Sequence, residues 1–471
     1  MTRSSFEKTP MLSDLPCGRS FIVRGFTALV LTSAALATDL PGQNADERLT
    51  TLLSIGDSTN PSISAARSRS LAAKARVRPA GAWPDPMLMA GILNLPIGRM
   101  TPDPGDSRQL PGDDMTMKMI GVEQTIPYPG KLSLRRKILD LQADAADAAL
   151  SGTRRQIARE IKNSFYELAY LNRSLEIVRN SSSTLSAVVQ LAESNYATGF
   201  SGQQDVLKAR VEAARVGEMA SGIEEQKRME QANLDALINR EIGSVSPTAP
   251  AIPARIASAA LTQDVSKIRF VSGTLGARVA DSPLPSLEKL QELALRNNAT
   301  LREADSNIAA EAARVALAQE GYKPDFDVSL QYGQRTQRPD MISAIVTVPL
   351  PIHKGARQNQ EVAEARSQLG AAQSEYRAEA NRVRAEVVRL VSEVERNRTQ
   401  LALYRKAILP QGAAAVSSSL ATYQTGKGDL LSVLNNQSTL QTYQIAELRA
   451  LTDFAKAIAE LEAILGVEVL Q

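Results

Sequence analysis

The chain repeats itself. Asn60-Pro61-Ser62-Ile63 opens an Ala/Arg-rich stretch that closes near Trp83-Pro84-Asp85. Asn298-Ala299-Thr300-Leu301 opens a similar one that closes at Tyr322-Lys323-Pro324-Asp325. Ile126-Pro127-Tyr128-Pro129-Gly130-Lys131 then has a counterpart in Val348-Pro349-Leu350-Pro351-Ile352-His353-Lys354-Gly355. Tyr196-Ala197-Thr198-Gly199 followed by Asp205-Val206-Leu207 is echoed by Tyr423-Gln424-Thr425-Gly426 followed by Asp429-Leu430-Leu431. Landmarks recurring in one order mean two copies of one supersecondary unit. The copies are read as residues 38–243 and 287–471, and the Pro/Ala/Ser-rich stretch 244–286 as a linker between them.

Each copy carries the same plan: helix, β-hairpin, very long helix, tight turn, helix. In the second hairpin, about 325–348, Phe326, Val328, Leu330 and Tyr332 alternate with Asp327, Ser329, Gln331 and Gly333. Its return strand sets Ile342, Ala344, Val346 and Val348 against Ser343 and Thr347. One apolar and one polar face at period two is what a strand between lipid and an aqueous lumen requires. The first hairpin, about 87–124, is less regular. Its connection, residues 95–114, is rich in Pro, Gly and Asp, as an exposed outer loop would be. Pro127 and Pro349 cannot donate to a ladder and end their strands, and Pro129 and Pro351 reinforce the exit. The chain is expected to enter a helix directly behind Gly130 and Gly355.

The long helices are placed at about 131–242 and 355–466. Leu369, Tyr376, Val383, Leu390 and Tyr404 share a seven-residue register, with Asn397 its polar exception; Ala380, Val387, Val394, Leu401 and Ile408 occupy the adjoining one. In the first copy Ile157, Ile161, Phe165, Leu168, Leu171, Leu175 and Val178 follow at steps of three and four. A seven-residue period implies left-handed packing of long helices. Pro410 predicts a break in the second copy, and Ser181-Ser182-Ser183 marks the equivalent place in the first.

Chemistry is scarce. The single His353 and single Cys17 exclude a His/Cys metal cluster, a Cys–His nucleophile or an internal disulfide. Carboxylates are interleaved with Lys and Arg on helical faces, so no catalytic pair stands out and no cofactor is expected. A formal charge of +3 over 471 residues leaves no footprint for nucleic acid. At the N-terminus, Arg19 and Arg24 precede an apolar run from Phe26 to Ala37 that ends in Ala35-Leu36-Ala37, the pattern of a secretory leader over residues 1–37. That run is too short for a membrane helix, and no later one is long and apolar enough.

Four strands cannot close a membrane barrel, and open edges in lipid leave backbone groups unpaired at high cost. Strands must be pooled with copies of the same chain. Two copies give eight strands, barely wide enough for side chains; three give twelve, enough for a channel.

With these motifs in order and duplicated, the chain resembles the TolC-type outer-membrane efflux family over nearly its whole mature length. The residues that carry the likeness include Asn60-Pro61, Trp83-Pro84-Asp85-Pro86, Ile408-Leu409-Pro410 and the two Tyr-x-Thr-Gly turns. The Pro-Gly-Lys and Pro-x-Pro elements look most like the CzcC/CusC-like heavy-metal branch. The resemblance implies a mainly α fold with a membrane β-sheet, a homotrimer with a 12-stranded barrel in outer-membrane lipid, and a periplasmic α-barrel. It further implies a periplasmic adaptor (membrane fusion protein) and an inner-membrane transporter of the RND type as partners. Tyr196, Gly199, Tyr423 and Gly426 would then form the periplasmic tip turns, and Asp429, with Asp205 in the first copy, the entrance. The second turn reads as shorter than the first, and Ser432 stands where some relatives carry another acid. Asp429 has a plainer alternative as a helix N-cap.

Met87, Met89, Met115, Met117 and Met119 alternate on the two strands of the first hairpin, with Met100 between them. Thioethers suit soft cations, but strand packing or lipid contact is the plainer expectation. As to cargo, metal cations compete with drugs and with proteins of type I secretion. A soluble periplasmic coiled-coil scaffold is the alternative of a different class.

Overall fold

The computed structural model describes residues 43–94, 116–243, 251–261, 284–335 and 338–470. The proposed leader, the whole 95–114 loop with Met100, and Met115 lie outside them. The first copy begins with α1 (Gln43–Thr59) and α2 (Pro61–Ala80), continues through β1 (Met87–Leu93) and β2 (Met117–Ile126), and ends in α3 (Lys131–Ala197) and α4 (Gln203–Leu237). A short helix, α5 (Ala254–Leu261), follows. The second copy runs through α6 (Leu287–Asn297), α7 (Ala299–Glu320), β3 (Phe326–Arg335), β4 (Met341–Thr347) and α8 (Gln358–Leu403). A π-helical turn (Tyr404–Ile408), α9 (Leu409–Gln424) and α10 (Leu430–Leu465) complete it.

Both copies start on the same device. Asn60 and Asn298 hold extended backbone, and each side-chain oxygen accepts from the two backbone N–H groups at the start of its helix. This satisfies donors that no helix can satisfy internally. Each amide then reaches the far end of its copy: Asn60 Nδ2 donates to Leu237 O at 2.7 Å, and Asn298 Nδ2 to Ile464 O at 3.4 Å.

α3 is one helix of 67 residues, about 100 Å at 1.5 Å per residue. It runs unbroken through Ser181–Ser183, so of the break or bend expected there the break does not occur. A serine keeps its backbone donor, and these hydroxyls find acceptors: Ser181 Oγ donates to Gln441 Oε1 on α10 and Ser183 Oγ to Asn180 O one turn back. In the second copy α8, the π turn and α9 hold 46, 5 and 16 residues and together match α3 in length. The interruption expected at Pro410 is thus a widened turn rather than a stop. Pro410 lacks an N–H, and the ladder shifts by one residue just before it.

The heptad positions from Ala380 to Leu401 are buried, whereas Leu369, Tyr376, Tyr404 and Ile408 are half-buried. Ala380, Val383, Val387, Leu390, Val394 and Leu401 join Phe165, Phe454, Ile458 and Leu461 in the largest core, and Asn397 is buried with them. Ile157, Ile161 and Leu168 line a second core with Ile63 and Ile238. A third, toward the tips, gathers Val178, Leu185, Val188, Val206, Tyr423, Leu430 and Val433. The stretch expected to be a linker contributes α5, whose Ile256 and Ala260 pack into the largest core. It therefore does more than span a distance.

The strands form one antiparallel sheet in the order β1-β2-β3-β4, so the two hairpins lie side by side and β1 and β4 are its edges. The central register pairs Ile126 with Phe326, Val122 with Leu330 and Ile120 with Tyr332. One face then carries Leu88, Ile92, Ile120, Val122, Leu330, Tyr332, Ile342 and Val346, all exposed. The opposite face carries Glu123, Thr125, Asp327, Ser329, Gln331, Ser343 and Thr347. Among the described residues no helix is long and apolar enough to cross a membrane.

Candidate functional site

Three regions stand out: the joint between sheet and helices, the helix-to-helix turns at the far end, and the polar face of the sheet. At the joint, β2 ends at Ile126 and buried Pro127 turns the chain away. Pro129 is exposed, and Gly130 takes φ +100° as the N-cap of α3, a conformation that only glycine adopts cheaply. Lys131, 8% exposed, sends Nζ to Asp325 Oδ1 at 2.8 Å and to Lys323 O at 2.7 Å. The Tyr128 N–H donates to the same Asp325 oxygen at 2.8 Å, and Lys323 Nζ stands 4.9 Å from the centre of the Tyr128 ring. Burial pushes the Asp325 carboxyl up, but the Lys131 ammonium and the Tyr128 N–H outweigh it and hold it below its ordinary value. The first residue of the longest helix is thereby tied to the entry of the neighbouring hairpin. Sequence reasoning had both motifs but not this bond, because the pairing of β2 with β3 had to be known first.

The second copy departs from the first. Pro349 is exposed and Pro351 half-buried, and Gly355 lies within a run of turn residues, 352–357. Helix α8 begins only at Gln358, with Arg357 as its N-cap. The direct entry expected behind Gly355 is therefore two residues late.

The tip turns match closely. Gly199 and Gly426 take φ +76° and +69°. The Gly199 N–H donates to Tyr196 O and Phe200 N–H to Asn195 O; Gly426 N–H donates to Tyr423 O and Lys427 N–H to Thr422 O. Both are Schellman closures, which satisfy the last helical carbonyls only if a left-handed residue follows. The paired tyrosines part company: Tyr423 is 4% exposed within the tip core, whereas Tyr196 is 50% exposed.

The two turns are equal in length, contrary to the expected difference. Five residues, Thr198 to Gly202 and Thr425 to Asp429, separate the helices in each copy. The position matching Asp429 is Gly202, and Asp205 sits three residues further, inside the first turn of α4. Asp429 is the N-cap of α10 with extended backbone. Its exposed side chain makes no capping hydrogen bond and is free to face solvent.

On the sheet, Met87, Met89, Met117, Met119 and Met341 all fall on the face with Glu123, Asp327 and Gln331, opposite the apolar one. Among the described residues no group of three or more His, Cys, Asp or Glu side chains is placed to hold a metal ion.

Comparison with known proteins agrees with this architecture. The profile of the outer membrane efflux protein family matches residues 53–240 and 290–467, one segment per copy. The cobalt-zinc-cadmium resistance protein CzcC of Cupriavidus metallidurans is 23% identical over 343 residues, covering 72% of this chain and 75% of that protein. Among solved structures, the outer-membrane channel OprN superposes with a TM-score of 0.72 at 16% identity, covering 89% of this chain and 90% of OprN. CusC gives a TM-score of 0.70 at 15% identity, covering 89% and 92%. A twofold-repeated chain with a four-stranded sheet apolar on one face, a 67-residue helix and a profile match to both halves belongs to the outer membrane efflux protein family: it is a TolC-like outer-membrane channel with a periplasmic extension, and not an enzyme.

Proposed function

We propose that three copies of this chain close a twelve-stranded barrel and a coiled-coil tube, forming the passive exit duct of a tripartite efflux system. A periplasmic adaptor would dock on the helical end and couple the duct to an inner-membrane transporter of the RND type, with metal cations as cargo.

The observation that carries the reading is a sheet with one exposed apolar face and two unpaired edges, β1 and β4. Backbone groups at those edges need partners in the membrane, and a rotational assembly of like chains supplies them. The flanks of both edges support it: Trp83 before β1 and Leu350 and Ile352 after β4 are 61%, 76% and 82% exposed, large apolar groups that such an assembly would cover. The metal reading is favoured by the likeness to a cobalt-zinc-cadmium resistance protein and by the exposed Asp429, which would form a ring of three carboxylates on a threefold axis.

Single-channel recording in planar bilayers tests the duct. A cation-preferring conductance is expected, with the preference weakened in Asp429→Ala; an unchanged preference removes Asp429 from the entrance, and no conductance removes the duct. Deletion of the gene should sensitise cells to divalent metal salts. Sensitisation to drugs alone would favour the drug-efflux alternative.

A further inference from the structure

The joint where the two hairpins of one chain meet has both of its halves repeated at the free edges of the sheet. Between β2 and β3, Lys323 Nζ stands 4.9 Å from the centre of the Tyr128 ring, and Lys131 Nζ bonds Lys323 O and Asp325 Oδ1. Before β1, Gly81-Ala82-Trp83-Pro84-Asp85 repeats Gly321-Tyr322-Lys323-Pro324-Asp325, so Trp83 holds the place of Lys323. After β4, the place of Tyr128 falls on Leu350 when Pro127 is matched to Pro349. It falls on Ile352 when the hairpin registers are matched, because Glu123 faces Met87 as Thr347 faces Asp327. Either residue is aliphatic and far exposed, and so is Trp83, whereas Tyr128 is half-buried within its own chain.

We propose that Trp83 of one copy seats on Leu350 and Ile352 of the next, where β1 of the one adjoins β4 of the other. The residue types on the two sides of the joint change together, and this favours a second copy as the occupant. Within the chain a cation meets an aromatic face, a pair held by the ring quadrupole. At the free edges an indole stands where the cation was, and aliphatic side chains stand where the ring was. That pair is held by burial of apolar surface. The ionic part of the internal joint is not repeated at the head of the helix either, since α8 opens on Gln358 where α3 opens on Lys131. A tryptophan that merely sat in the lipid interface would need no matching change on the far edge. The inference rests on the three-copy reading and adds a division of labour to it. Around the base of the barrel, polar joints within chains alternate with apolar joints between them.

The test heats the full-length protein in mild detergent by steps and reads its mass by light scattering. Trp83→Lys sets an ammonium on aliphatic surface and should lower the temperature at which trimers fall to single chains. Adding Ile352→Tyr or Leu350→Tyr rebuilds the internal pair across two chains and should recover more than half of that loss. Where Trp83→Lys assembles, rescue by neither tyrosine, or a melting temperature equal to the parent's, overturns the contact. A tyrosine that raises the parent by the same amount is not rescue and counts against it. Where Trp83→Lys does not assemble, a milder cycle decides: Trp83→Ala, the Leu350→Ala/Ile352→Ala pair, and all three together. The combined loss should fall short of the sum of the separate losses. Additive losses, which independent lipid contacts would give, overturn the contact alone. A parent that is a single chain before heating overturns the three-copy reading and the contact with it.

Discussion

How copies of the sheet meet can be worked out from the registers within one chain. Starting at Met87, the pairings lead to Glu123 on β2 and Ser329 on β3. The gapless likeness of Gly81-Ala82-Trp83-Pro84-Asp85 to Gly321-Tyr322-Lys323-Pro324-Asp325 makes Ser329 the counterpart of Met89, so one hairpin advances the stagger by two residues. Six hairpins in a trimer advance it by about twelve. With strands about 4.8 Å apart and rising about 3.3 Å per residue, that tilts them about 35° from the axis, at the edge of the range for barrels. Ser329 pairs with Ile345, and a total stagger of about twelve residues brings Ile345 opposite the next copy's Gly91 and Val346 opposite its Ala90. The perturbation is a pair of cysteines, Ala90→Cys with Val346→Cys, in a Cys17→Ser background. Directly opposed Cβ atoms lie about 4.5–5.5 Å apart, within reach of a disulfide after small adjustment. A shift of two residues moves the Cα atoms about 8 Å apart, beyond it. Oxidation in outer-membrane fractions followed by non-reducing electrophoresis should trap a ring of three chains for this pair only. Preferential trapping of Leu88→Cys or Ile92→Cys with Val346→Cys would refute the stagger argument, and no trapping by any of the three would refute edge-to-edge closure.

Replacing Lys131 by methionine strips Asp325 of its main partner and should cost about 1–3 kcal/mol, measured as a lower temperature for loss of heat-modifiable mobility. Because the Asp325 carboxyl is held below its ordinary value, its contribution is present above that value and is lost as pH falls through the depressed one, so acid should erode the difference between parent and variant. Gly426→Ala forces a side chain into the left-handed region and should destabilise the tip by about 1–2 kcal/mol, seen as faster proteolysis at residues 425–429. Asn60→Ala removes a cap and a 2.7 Å bond to Leu237 O and should cost about 1–2 kcal/mol in urea melts; Asn298→Ala, whose second bond is 3.4 Å long, should cost less.

Much of the fold was legible because period and punctuation agree. Phe326 to Tyr332 alternate as the sheet requires, the heptad residues from Ala380 to Leu401 are the buried ones, and Asn60 and Asn298 cap helices in both copies. What escaped depended on partners distant in sequence. The tie from Lys131 to Asp325 needs the β2–β3 register. The equal tip turns were hidden because α4 starts before Asp205 whereas α10 starts after Asp429, so matching the aspartates misaligned the turns. Helix α5 is short and set among prolines, and only the surface it covers reveals its use. Serine triplets weaken a helix on average, yet Ser181 found a buried glutamine to bond.

The π-helical turn before Pro410 has a mechanical consequence. Two staves of equal length rise from each sheet, but one is a continuous ladder and the other carries a weak rung about two-thirds of the way along, where the ladder changes step and proline withholds a donor. A force applied at the tips would flex the second stave at Tyr404–Pro410 and leave the first straight, so compliance is built into alternate struts of the wall.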